Sequence, residues 1–231
     1  MTTYLILHGF QNHRPPGHWQ YWLAEQLRER GHEVRYPQLP SADAPVLADW
    51  LDALEGHGQR PQDGDGEFVV IAHSLSVLLW LRAVAAGRAP DADRVLLVAP
   101  PSPQVTASIP EIAEFAELGE FAELGEFAEL GALGELGEPG GRVAEFGEFG
   151  DGPGRGPGPD ASRGGRVRLV YGDGDPYCPE GADVHYGLPL GLDLDHVPGG
   201  RHLNPELGGY GPWPSVLEWC ENPAERVTGN R

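Results

Sequence analysis

The chain has no lysine: all 16 basic side chains among its 231 residues are arginine. That absence excludes a lysine Schiff base and the lysine of a phosphate-binding loop. Cysteine is scarce, with only Cys178 and Cys220, and in a reducing compartment the two are not expected to pair. Positive charge is scarce too, 16 basic against 35 acidic residues for a net of −19. This disfavours nucleic acid and anionic membrane surfaces, both of which need clustered positive charge. No apolar run approaches the length of a membrane span, and MTTYLILHGF carries no basic leader, so a cytoplasmic location is the expectation. No GxGxxG follows the first apolar run, no GxxxxGK occurs, and no HExxH or Cys/His spacing marks a metal site. Neither a nucleotide cofactor nor a metal is therefore expected.

What is present reads as alternating strands and helices. YLILH (4–8), EVRYP (33–37), EFVVIAH (67–73), RVLLVAP (94–100), RVRLVYG (166–172) and LDLDHVP (192–198) read as short strands, of which EFVVIAH is almost continuously apolar. Between them, Trp19, Trp22, Leu23 and Leu27 recur at helical spacing, as do Val46, Leu47, Trp50, Leu51 and Leu54. SLSVLLWLRAVAAG follows the third strand as a further helix. The alternation predicts one α/β domain over residues 1–231. Its mostly parallel central sheet has about six strands flanked by helices.

One segment breaks the pattern. EFAELG occurs three times between Glu114 and Gly131, with its large apolar residues three apart. On an α-helix such a stripe drifts roughly 60° per step and forms no face. The glycines weaken helix further, by about 1 kcal/mol each. Residues 111–165 therefore read as a low-complexity acidic insertion followed by a Gly/Pro-rich tether, a tolerated insertion before a lid or a partner-binding arm. Residues 111–151 hold twelve acids and one arginine, a net of −11, against −8 for the rest of the chain. The overall charge thus says little about substrate.

The chemistry-bearing stretch is VVIAHSLS. A buried strand can expose a hydroxyl at its tip if the chain turns sharply into a helix and the residues two before and two after are small. Ala72 and Ser76 replace the usual glycines but keep that condition, so Ser74 reads as a nucleophile on an elbow. The competing reading is a helix N-cap serine. An acid and then a histidine should follow on later strand ends. Asp175 in YGDGDPYC is preferred over Asp173, because it lies further along the loop and precedes the stiffening Pro176. His202 in GGRHLN is preferred over His196, which falls inside the strand pattern. Oxyanion donors are expected from the backbone N–H groups of Leu75 and Phe10. Trp19, Tyr177 and Trp213 are candidates for a pocket wall. Cys178, beside the acid loop, lacks any elbow of its own.

HGFQNHRPPGHWQYWL, AHSLS, VYGDGDPYC and GGRHLNPELGGYGPWP together resemble the small serine hydrolases grouped with retinoblastoma-binding protein 9. The resemblance covers roughly residues 3–105 and 165–220. It implies an α/β-hydrolase fold without a large cap domain and a Ser-Asp-His triad on Ser74, Asp175 and His202. It also implies esterase- or peptidase-like activity on small substrates. Members commonly have a short connection where this chain carries the EFAELG repeat, and a plain Gly-His where it has Gly200-Arg201-His202. Arg201 accordingly has two readings, a residue that perturbs this loop and a contact for a substrate carboxylate. The expected function is hydrolysis of a small ester or amide through an acyl-enzyme. The alternatives are a small-peptide amidase or aminopeptidase, and a non-catalytic binding protein using its acidic repeat as a partner arm.

Overall fold

In the first apolar run, Leu5 and Leu7 point to one side and Tyr4 and Ile6 to the other, and all four are buried. A strand that must hide both faces belongs inside a sheet covered by helices on both sides. The computed structural model, which describes residues 1–60, 66–117 and 167–230, has that arrangement. Its strands are β1 (Thr3–Leu7), β2 (Glu33–Arg35), β3 (Phe68–His73), β4 (Arg94–Val98), β5 (Val167–Gly172) and β6 (Asp193–Val197). They form one parallel sheet in the order β2-β1-β3-β4-β5-β6. All six expected strands are present, the fold is the α/β-hydrolase type, and among the described residues there is no obvious large cap domain.

The helices are α1 (Trp19–Glu29), α2 (Leu47–His57), α3 (Leu75–Ala85), α4 (Pro103–Ser108), α5 (Pro205–Gly208) and α6 (Pro214–Glu221). Leu5, Val70, Ala72 and Leu97 pack under α2 and α3 on one face. Tyr4, Ile6, Ile71 and Val98 pack under α1 and α6 on the other. The two-residue alternation along each strand sorts its side chains between these cores. Among the described residues, no helix is long and apolar enough to cross a membrane.

Residues 111–117 are the described part of the acidic segment, and they pack. Ile112 and Phe115 are buried, and the Phe115 ring meets Trp50 edge-on at 5.4 Å. The Glu114 carboxylate accepts from the N–H of Leu47, the first residue of α2. The α2 N-cap, Val46, has no side-chain acceptor to offer, so this carboxylate meets an orphan donor at the positive end of the helix. Residues 118–165, where the rest of the insertion and the tether are expected, lie outside the described residues.

Candidate functional site

The chain reverses between β3 and α3 through Ser74, at φ 57° and ψ −124°. A non-glycine residue there carries strain on the order of 1–3 kcal/mol, so surrounding contacts must hold it. The Ser74 N–H donates to the Val98 carbonyl at 2.9 Å, and the Ser74 carbonyl accepts from the Val77 N–H at 2.9 Å. Ala72 and Ser76 are fully buried on either side. Ser76 does more than stay small: its hydroxyl donates to the His8 carbonyl, tying the start of α3 to the end of β1. The Ser74 hydroxyl makes no capping bond to α3, which removes the N-cap reading.

Instead that hydroxyl lies 2.9 Å from His202 Nε2, and His202 Nδ1 lies 2.8 Å from Asp175 Oδ2. The other Asp175 oxygen accepts from the Tyr177 N–H at 2.8 Å. Asp175 and His202 are each 4% exposed, so the pair is shielded from competing water. The Tyr177 ring packs 4.5 Å from the imidazole.

Glycines make this convergence sterically feasible, because β6 is the edge strand and its loop must cross the end of β5. A Cβ at Gly172 would fall 2.5 Å from the Arg201 nitrogen. Asp173, the other acid of YGDGDPYC, clamps the same loop: its carboxylate accepts from the Gly199 N–H and its carbonyl from the Arg201 N–H. Its exposed carboxylate also pairs with His196 at 3.3 Å, away from Ser74.

The loop after β1 closes the other side. A Cβ on Gly9 would lie 2.7 Å from Ser74 Cβ and 3.1 Å from its hydroxyl, so only glycine lets this backbone reach the serine. His8 latches the loop. Its Nδ1–H donates to the Gly9 carbonyl at 2.8 Å, while Nε2 accepts from the Leu39 N–H at 2.8 Å and the Gln38 amide at 2.9 Å. That pattern requires a neutral ring, and burial holds its pKa down to about 4. Phe10 and Leu75 both line the cleft beside Ser74.

The cleft has a volume of about 590 Å³, with apolar walls from Phe10, Pro101, Ile109, Ile112, Tyr177 and Leu207. Tyr177, a wall candidate from the sequence, lines this cleft. Trp19 and Trp213 are not part of the wall: both are fully buried, packed edge-to-face at 5.4 Å between sheet and helices. Their indole N–H groups are used by the Leu203 and Thr228 carbonyls. Arg201 also stays outside the cleft lining; it is exposed and its guanidinium points to the Leu207 carbonyl. Ile109 and Ile112 escape sequence reasoning because they sit at and just before the start of the segment read as an insertion. Cys178 is buried, and burial pushes its thiol up to about 12, which suits packing and not nucleophilic attack. Among the described residues, no cluster of His, Cys, Asp and Glu is placed to hold a metal ion.

Comparisons with known proteins agree with this architecture. A family model described as serine hydrolase matches residues 4–125. The chain is similar in structure to the ydeN gene product of B. subtilis, with a TM-score of 0.66 and 17% identity over 96% of this chain and 97% of that one. It is similar to a YdeN-like hydrolase from Pectobacterium atrosepticum, with a TM-score of 0.60 and 18% identity over 95% and 89% of the two chains. A soluble variant of monoglyceride lipase from Saccharomyces cerevisiae follows with a TM-score of 0.52 and 12% identity, over 87% and 78%. At these identities the structural likenesses speak for the fold alone. No curated protein sequence matches the chain.

Proposed function

The chain belongs to the serine hydrolase family, and from that premise we propose that it cleaves a small ester or amide through an acyl-enzyme on Ser74. The observation that carries this reading is the unbroken hydrogen-bonded path from Ser74 through His202 to Asp175, at 2.9 and 2.8 Å. With Nδ1–H donating to Asp175, Nε2 is free to accept the serine proton. Ser74 Oγ attacks the substrate carbonyl carbon as its proton passes to His202 Nε2. The negative oxygen that forms is held by the N–H groups of Phe10 and Leu75. Collapse expels the leaving group, which takes the proton from His202. Water, deprotonated by the same nitrogen, then releases the acid and frees Ser74. Asp175 fixes the imidazole tautomer and stabilises its cationic form.

The apolar cleft wall supports a small apolar or aromatic acyl group. An ester is favoured over an amide because its leaving group needs less activation, with a small-peptide amidase or aminopeptidase as the alternative. Two buried, unpaired cysteines support a reducing, cytoplasmic setting. A non-catalytic scaffold with the acidic repeat as partner arm finds no support in this site, since binding alone does not require the three side chains to be hydrogen-bonded in series.

The test is stopped-flow hydrolysis of p-nitrophenyl esters of increasing acyl length. A burst of nitrophenol equal to one per chain, absent in Ser74→Ala, is the expected result. Steady hydrolysis that survives in Ser74→Ala would sink the reading.

A further inference from the structure

We propose that His73 is a positioning residue for the hydrolytic reaction: its Nε2–H holds the main-chain carbonyl of His202, and so sets the separation of nucleophile and base. The proposal rests on the serine-hydrolase reading of the site and adds a residue to it. His73 ends β3 and immediately precedes Ser74, with Nε2 3.1 Å from the His202 carbonyl oxygen. A carbonyl only accepts, so Nε2 carries the proton. Nδ1 is then a bare acceptor, and among the described residues it has no partner although the ring is 3% exposed.

That arrangement costs stability. A buried polar atom without a partner is unfavourable, and the rest of β3, Phe68 to Ala72, is apolar and fully buried. An apolar residue at position 73 would avoid the penalty. What it would lose is the bond to His202. The ring is held for that bond on both sides, by His18 at 5.3 Å and Trp19 at 5.7 Å edge-on, and by His202 itself at 5.3 Å. Burial keeps it neutral, its pKa pushed well below the ordinary histidine value.

The loop that carries His202 needs such anchors. Arg201 and Leu203, the residues on either side, both sit at positive φ, 52° and 51°. Asp173 holds the N–H groups of Gly199 and Arg201, and the Trp19 indole holds the Leu203 carbonyl at 3.0 Å. Those contacts tie the loop to β5 and α1. The His73 bond ties it to the strand that presents Ser74, and it acts on the backbone of the base itself.

The experiment compares rates of fluorophosphonate labelling at Ser74 in the intact chain, wild type beside His73→Leu, His73→Gln and His73→Asn, with thermal melting of each. Leucine keeps the apolar bulk without a donor. Glutamine places an N–H about where Nε2 lies, and asparagine keeps a polar amide that falls short of the carbonyl. His73→Leu and His73→Asn are expected to label about 10- to 100-fold more slowly, the penalty of a small misplacement of base against nucleophile. His73→Gln should recover most of that loss, independently of which variant melts highest. Should His73→Leu fail to fold, the Gln and Asn pair makes the same comparison. Wild-type rates in folded His73→Leu or His73→Asn, or no recovery in folded His73→Gln, would overturn the role of His73 alone. An unlabelled wild type would overturn the serine-hydrolase reading and this role with it.

Discussion

Acid should unfold this protein through histidines that it buries uncharged. Burial, with His202 and His8 nearby, holds His18 at about 4, and burial holds His8 at about 4, against an ordinary value of 6.5. Both rings use an unprotonated nitrogen: His18 Nδ1 caps α1 by accepting from the Gln20 N–H at 3.2 Å, and His8 Nε2 accepts from Leu39 and Gln38. Between those pH values the unfolded chain binds protons that the folded chain refuses. Stability is therefore full above about pH 6.5 and is lost as pH falls toward about 4. The gap corresponds to on the order of 3 kcal/mol for each ring, and His73 adds to it in the same direction. Two such contributions rival a small domain's whole stability of about 5–15 kcal/mol. Urea melts between about pH 7.5 and 4.5 would measure the slope, with His18→Asn as the comparison because an asparagine oxygen can still cap the helix. Around pH 5.5 the variant should lose one proton's worth of slope, about 1.4 kcal/mol per pH unit. Equal slopes in the two proteins, or a wild type equally stable at both ends, would refute the reasoning.

Two further substitutions probe the loops around Ser74. Gly9→Ala places a Cβ 2.7 Å from Ser74 Cβ, so the segment bearing Phe10 must move. Ester hydrolysis should fall about 100-fold in kcat/KM while the fold survives an overpacking strain of about 1–3 kcal/mol; an unimpaired rate would contradict the placement of the oxyanion donors. Asp173→Ala removes the acceptor of the Gly199 N–H and is expected to slow turnover about five- to tenfold, the equivalent of one hydrogen bond of about 1 kcal/mol. Asp173→Asn keeps an acceptor oxygen and should stay near wild type, whereas equal loss in both would assign the effect to the carboxylate's charge and not to its hydrogen bond.

β1, β3 and β4 are legible because each is an almost continuous apolar run, and a parallel sheet covered on both faces demands that. α6 is not, although Pro214 at its first turn and Val216, Leu217, Trp219 and Cys220 along it carry a helical signal. Eight residues are too few for the period to stand out beside the Gly- and Pro-rich GGYGPWP. At the proposed site, Ser74, Asp175 and His202 stand out in the sequence because each follows the C-terminal end of a strand of one parallel sheet. Which way an aromatic ring faces does not follow from chain order, and so Trp19 and Trp213 looked like wall residues but serve the core. The cleft wall at Ile112 was hidden for another reason. The three-residue period of the acidic segment argues against packing, yet its first turn docks on Trp50 and caps α2. His73 reads as the end of a strand, since nothing in AHSLS shows that its ring reaches a loop 129 residues away.

The central claim is that Ser74 is an activated nucleophile, and intact-mass measurement after exposure to a fluorophosphonate tests it most directly. One adduct per chain, mapped to Ser74, absent in Ser74→Ala and greatly slowed in His202→Ala, is the predicted result. A folded wild-type chain that gains no mass, or an adduct that persists in Ser74→Ala, would contradict it.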